Sequence, residues 1–284
     1  QECLFGMVCG VTEKFGGAIV ECGVFPEQPA KMFDAASVPR PLSSLYPKLE
    51  PRARIYAALT EVVGALSSRS FRQQDSDSPM SISMGLIDSG FEASTVHEFL
   101  GRTQFKALWK ASKGRSIGPA GKPMNEYRRE PGDQVGWNWR IDARTTARGR
   151  FVSFDTLPWK SAVADALLAP PGSASAFYLP GSELRDNPLL ISHLLSEYRT
   201  ETMAVLSGRR VQEWRLRPDC KENHFWDCLV GCAVAASVSG LQWSAASAAG
   251  ESVADGPRKP KLSMSARQAA KREAAKREAA NGRN

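Results

Sequence analysis

Met80-Ser81-Ile82-Ser83-Met84-Gly85-Leu86-Ile87-Asp88-Ser89-Gly90 is the stretch that decides the fold class. Met80 to Ile87 reads as a strand, and Asp88-Ser89-Gly90 breaks it with residues that favour turns. A helix follows at once. Thr95-Val96-His97-Glu98 has the capping-box spacing, and Phe99 and Leu100 continue the helix. Strands alternating with helices in this way, together with hairpins, predict a mixed α/β sheet.

Outward toward the C-terminus, Phe105 to Ala111 reads as a strand ending at Lys113-Gly114, and Val135 to Ile141 and Phe151 to Phe154 are strand-like. Trp159 to Leu168 is helical and is closed by Pro170-Pro171-Gly172. Ala176 to Leu179 is a short strand and Leu189 to Tyr198 a helix. Met203 to Leu206 and Arg210 to Leu216 make a hairpin across Ser207-Gly208. The last strong element is a helix from about Asn223 to Val238. Toward the N-terminus, Leu4 to Val11 and Ala18 to Phe25 form a hairpin around Lys14-Phe15-Gly16-Gly17. Pro26 to Pro51 is a Pro- and Ser-rich connection, and Ser67 to Pro79 is a polar loop. Arg52 to Leu66 carries Ile55, Leu59, Val62, Val63 and Leu66 at helical spacing.

After Leu241 the composition changes. Ser, Ala, Gly and Pro dominate as far as Pro260, the mark of a linker. Ala269 to Ala280 then repeats Ala-Ala-Lys-Arg-Glu, a charged helical spacer with no apolar face to bury. The expected division is a folded domain over residues 1–240 and a flexible basic tail over 241–284, either solvated or a docking peptide.

The chain has 284 residues and a formal net charge of +7. A basic excess favours a polyanionic partner, although part of it lies in the last thirty residues. Six cysteines in a chain this long fit reduced thiols better than a secreted disulfide framework. Cys220, His224, Cys228 and Cys232 recur every four residues on one helical face. Structural zinc usually takes two ligand pairs from separate elements, so small buried thiols are the better reading. No charged start with an apolar core and cleavage site is visible, so no signal peptide is expected. The longest apolar run, Cys228 to Val238, is too short to span a bilayer. A strand-like run beginning almost at Gln1 points to a chain cut from a longer protein.

Two carboxylates stand out. Asp88 ends an apolar strand, where ligands of α/β sheets tend to bind, and its competing role is to cap its own turn. Asp227 lies in Phe225-Trp226-Asp227-Cys228-Leu229-Val230-Gly231-Cys232-Ala233, a helix apolar nearly all round and therefore buried. A buried carboxylate needs a cation, hydrogen bonds or a proton. A metal shared with Asp88 meets that need, and the alternatives are the helix N-terminus or an ion pair with an Arg such as Arg215. Clustered acids from separate elements suit two-metal phosphodiester hydrolysis, with two Mg²⁺ or Mn²⁺ ions about 4 Å apart. Gly114 to Pro123 imitates a phosphate loop and fails as one. Ser116 stands where the first Gly belongs, and Pro123 replaces the Mg²⁺-binding hydroxyl, so no ATP site is expected. It reads instead as a basic surface loop. Lys106, Lys110, Lys113 and Arg115 are candidates for contact with a DNA backbone, each weighed against a merely solvated role.

The ordered set of motifs resembles the lambda-type large terminase subunits of tailed phages. It comprises Gly85-Leu86-Ile87-Asp88-Ser89-Gly90, Val96-His97-Glu98-Phe99, Lys113-Gly114, Asp155-Thr156-Leu157-Pro158-Trp159-Lys160 and Phe177-Tyr178-Leu179-Pro180. It continues with Leu194-Leu195-Ser196-Glu197 and with Trp214 followed by Asn223-His224-Phe225-Trp226-Asp227-Cys228. Order and spacing agree over roughly Leu4 to Ser239. The resemblance implies the C-terminal nuclease domain, an RNase H-like mixed sheet flanked by helices that cuts concatemeric viral DNA. The ATPase half that drives packaging is not part of this chain.

The same resemblance implies double-stranded DNA, a small terminase subunit and a portal protein as partners, no membrane, and a place in the host cytoplasm at the procapsid. It makes Asp88 and Asp227 metal-binding acids. The family's first strand ends Gly-Val-Asp, whereas this chain reads Gly10-Val11-Thr12-Glu13. Glu13, one residue on, points to the opposite strand face unless a bulge re-aims it, and is the possible third ligand or an exposed turn residue. His224 either assists near the site or packs. Two rivals remain: an inactive remnant that only holds DNA or a portal, and another RNase H-like enzyme such as a resolvase or transposase.

Overall fold

The computed structural model describes residues 2–73, 78–143, 149–179, 187–206 and 208–241. These all belong to one compact unit, residues 1–250. The linker beyond Leu241, the charged repeat, Pro180 and Ser207 lie outside the described residues. The architecture is mixed α/β, consistent with an RNase H-like nuclease domain.

β1 (Leu4–Val11) and β2 (Gly17–Phe25) form the antiparallel hairpin expected at the N-terminus, with a register shift at Val8/Cys9. Its turn is tight. Thr12 donates its backbone N–H (2.8 Å) and its hydroxyl (3.1 Å) to the Gly16 carbonyl. Phe15 takes a left-handed φ of 60° that turns its ring into the core, 3% exposed. A Cβ at Gly16 would collide with the Ala174 carbonyl, so the close approach of the 173–176 segment requires glycine there.

The Pro26–Pro51 connection is not wholly irregular, since it contains the short helix α1 (Leu42–Leu45). Next come α2 (Pro51–Ser67), the two-residue strands β3 (Phe71–Arg72) and β4 (Pro79–Met80), and then β5 (Gly85–Asp88). α3 (Ala93–Arg102) starts two residues before the expected cap. Glu92 precedes it at φ 49°, and Thr95 lies inside the first turn as a buried residue. β6 (Trp109–Arg115) begins later than the expected strand because residues 105–108 form a turn closed by Leu108 N–H to Phe105 O, 2.9 Å.

The expected strand Val135–Ile141 is a hairpin, β7 (Gln134–Gly136) and β8 (Trp139–Ile141), reversed at Asn138 with φ 51°. β9 (Val152–Asp155) runs directly into α4 (Thr156–Leu167), and β10 (Phe177–Tyr178) follows. The expected helix Leu189–Tyr198 divides. α5 (Pro188–Leu194) ends where the apolar run ends, and β11 (Glu197–Met203) already pairs with β12 (Arg210–Leu216). α6 (His224–Val238) closes the fold.

The expected single mixed sheet is divided. One sheet has the order β1-β2-β10 and another β5-β6-β9-β8-β7, in which β5, β6 and β9 are parallel. Alternation along β5 fixes the side on which Asp88 lies. Leu86 packs in the core of α4, α5 and α6, and Ile87 in the core of α1, α2 and α3. With a period of two, Asp88 returns to the Leu86 side, the side on which α6 lies. Gly85 faces the other way, where any Cβ would strike the Trp109 ring. α6 packs against β1, β5, α4 and α5 and buries Phe225, Trp226, Leu229, Val230 and Val234. Full burial of each such side chain is worth about 1.5–3 kcal/mol, which makes α6 the clamp between the two sheets.

Candidate active site

Asp227 sits in the first turn of α6, but its side chain leaves the buried face and keeps 54% of its surface. Its partner is neither the helix N-terminus nor Arg215, which pairs with Glu213 at 3.1 Å. It is Lys160 of α4, with Nζ 3.0 Å from Asp227 Oδ1. The same Nζ donates to both oxygens of Glu197 at the start of β11, at 2.6 and 2.8 Å. Asn223, just before α6, donates its amide to Glu197 Oε1 at 2.6 Å. Lys160 and Glu197 are both buried, at 8% and 9% exposed.

Asp88 ends β5 on the same side. Gly90 N–H donates to its Oδ1 at 3.1 Å, so it does cap its own turn, while Ser89 beneath it donates its hydroxyl to Ser112 O at 2.8 Å. Its charge reaches α6. Burial holds the Asp227 carboxyl above the ordinary carboxylate value. The Lys160 ammonium and its hydrogen bond oppose the rise, and the Glu197 and Asp88 charges add to it. The open side of Asp227 softens that rise.

Glu13 lies in the exposed β1–β2 turn, and among the described residues the charges acting on Asp227 are Lys160, Glu197 and Asp88. His224 stacks on Phe5, ring centroids 4.3 Å apart, and its Nε2 lies 3.8 Å from Glu222 Oε2. The thiols of Cys228 and Cys232 donate to the Phe5 and Met7 carbonyls at 3.7 and 3.6 Å. All six cysteines are free. Burial pushes the Cys228 thiol well up, so it stays protonated.

The donor chemistry of Asp88 and Asp227 suits a hard divalent cation, with carboxylate oxygens brought from a strand end and a helix start. Among the described residues no group of three or more His, Cys, Asp or Glu is spaced to hold one ion. Both acids supply hard oxygen donors, and a third acid, Glu197, is already held by Lys160.

The basic candidates separate. Lys113 and Arg115 share the face of β6 that carries Trp109 and Ala111, opposite the face on which Ser112 stands in register with Asp88. Lys110, in register with Leu86, falls on the Asp88 face, and Lys106 precedes the strand. Arg115 lines a cavity of about 380 Å³ with Lys122, Tyr127, Arg128, Arg140, Asp142 and Ser153. Lys122 and Arg128 enter this basic groove through folding of the loop after β6.

His193 of α5 positions the α6 start. It is 2% exposed, and its Nδ1 accepts from Phe225 N–H at 3.3 Å. Burial, then the charge of His224, depresses its pKa from 6.5 to about 4, although Glu222 Oε2 lies 3.7 Å from its Nε2 and would favour a proton. A protonated ring would also lose its acceptor at Phe225. The folded chain therefore binds fewer protons than the unfolded chain across this window. The stability is whole above about 6.5 and is lost as pH falls from there through about 4, by about 3 kcal/mol. Urea midpoints across that range are expected to fall more steeply for wild type than for His193→Gln, and equal slopes would remove His193 as the cause.

Lys160, Glu197 and Asn223 are given no role by the sequence reading. The available signal was a lysine facing inward on the otherwise apolar run of α4. A buried ammonium requires an acid.

Residues 52–247 match the family described as terminase large subunit gpA, endonuclease domain. Asp88, Lys160, Glu197 and Asp227 lie inside this span, and Glu13 lies before it. No curated protein matches, and no solved structure does.

Proposed function

Because this chain belongs to the gpA endonuclease-domain family of terminase large subunits, we propose that it is the divalent-metal-dependent DNA endonuclease of a phage packaging motor. Its substrate is concatemeric double-stranded DNA, and the small terminase subunit and portal are its assembly partners at the procapsid in the host cytoplasm. The observation that carries this reading is that Asp88 and Asp227, far apart in sequence, end a strand and start a helix on the same side of β5. The charge of Asp88 bears on the Asp227 carboxyl. Asp88 and Asp227 would hold Mg²⁺ or Mn²⁺, which supplies an activated water and charge neutralisation at the phosphate. The chain's own part is to orient these acids through Lys160 and the Asn223–Glu197 contact. Of the further candidates, Glu13 as third ligand and Lys106, Lys110, Lys113 and Arg115 as contacts to the DNA backbone are carried by the sequence alone. A two-ion site, as the family resemblance implies, would need such a third acid. Residues 1–240 would form the nuclease domain and 241–284 a flexible tail.

Among the described residues no helix is long and apolar enough to cross a membrane. Family membership favours the terminase over a resolvase or transposase. One observation favours the inactive module: Thr12 stands where an Asp is expected, and its hydroxyl is spent closing the turn on Gly16. Plasmid nicking separates the two. Cleavage is expected with Mn²⁺ or Mg²⁺ and none with EDTA; DNA binding without cleavage under either ion would establish the inactive module.

A further inference from the structure

Resting on the metal-dependent reading above, we propose that Lys160 is a built-in cation of the active site. Its ammonium occupies the place between Glu197 and Asp227 that a second ion would fill, and the chain therefore binds one divalent ion.

An ammonium has three protons to donate, and here each has an acceptor: Glu197 Oε1 at 2.6 Å, Glu197 Oε2 at 2.8 Å and Asp227 Oδ1 at 3.0 Å. No proton is left for a phosphate, so Lys160 is a positioning residue that orients Asp227 without touching DNA. The arrangement differs from a casual surface pair. The Lys160 side chain is 10% exposed and that of Glu197 6%. Glu197 is anchored again by Asn223 at 2.6 Å, and β11 and α4 fix the two ends.

The charge supports a count of one. Asp88, Glu197 and Asp227 carry three negative charges and Lys160 one positive, leaving a formal −2 that a single divalent ion neutralises. A second ion would have to displace a saturated ammonium from two carboxylates. The Lys160 contact takes Oδ1 of Asp227, which leaves Oδ2 for the one ion of the metal-dependent reading. A lysine ammonium is a compact point charge, the side chain best able to stand in for a hard ion.

The test counts Mn²⁺ on the intact chain by electron paramagnetic resonance and calorimetry, alone and with a short phosphorothioate DNA duplex. Wild type is expected to bind one ion with no exchange-coupled pair signal. Lys160→Met frees Glu197 and is expected to bind two, to show the coupled signal and to gain more melting temperature from Mn²⁺ than wild type does. Lys160→Met/Glu197→Gln, which carries no unpaired buried charge, is expected to return to one. A coupled pair in wild type would overturn the role of Lys160 and leave the metal-dependent nuclease standing. No bound ion in wild type would overturn that nuclease reading as well. A folded Lys160→Met that still binds one ion would overturn the proposal alone, and if that variant does not fold, the wild-type count decides.

Discussion

Asp227→Asn is expected to lower metal-dependent DNA cleavage by about a thousandfold with little change in fold. A catalytic ion is worth several kcal/mol of transition-state stabilisation, and each 1.36 kcal/mol is a factor of about ten in rate. Asn keeps the shape of the side chain and still accepts from Lys160, but it brings no charge to a divalent ion. The structural cost is small for two reasons. The side chain is half open, and loss of its charge removes the repulsion from Glu197 and Asp88 along with the attraction of Lys160. Asp88→Asn is expected to behave alike, with an added cost where its carboxylate accepts from Gly90. Glu13→Gln is the informative companion, because Glu13 is not among the charges acting on Asp227. Cleavage by Asp227→Asn at the wild-type rate would remove this site, and a loss in Glu13→Gln as deep as in Asp227→Asn would restore Glu13 as a ligand.

Local periodicity made some elements legible in the sequence. The hairpin at Leu4–Phe25, the helix Pro51–Ser67 and the closing helix His224–Val238 depend on it, and they stand close to where that periodicity put them. Asp88 could be singled out because it ends an apolar strand, and Asp227 because it interrupts an apolar helix. Long-range pairing was not legible. The break of Leu189–Tyr198 into helix and strand comes from β11 pairing along all of β12, and no local pattern announces a partner more than ten residues away. The division of the strands over separate sheets has the same origin. The reading of Asp227 as fully buried treated the helix as uniform, whereas one position in its first turn faces Lys160. Lys160 and Glu197 escaped because each is ordinary by itself. A lysine on a helix and a glutamate at the start of a strand are usually solvated, and only their burial together makes them part of a site.

The burial of that pair sets the second large effect. Lys160→Met is expected to destabilise the fold by about 3–5 kcal/mol in the absence of metal, because removing one partner leaves a buried charge uncompensated. Methionine fills nearly the same volume, so the loss is electrostatic and not a cavity. Glu197 keeps the Asn223 amide but loses both Lys160 hydrogen bonds, and Asp227 then faces Glu197 and Asp88 with no cation between them. Removing the second partner reverses most of this. Lys160→Met/Glu197→Leu exchanges the pair for apolar packing, and such exchanges are often neutral or stabilising by about 1–4 kcal/mol. Urea unfolding of wild type, the single variant and the double variant measures the difference. The expected order places the double variant near wild type and the single variant well below both. A single variant within about 1 kcal/mol of wild type would mean that water reaches Glu197 and that the pair is a surface contact of ordinary strength.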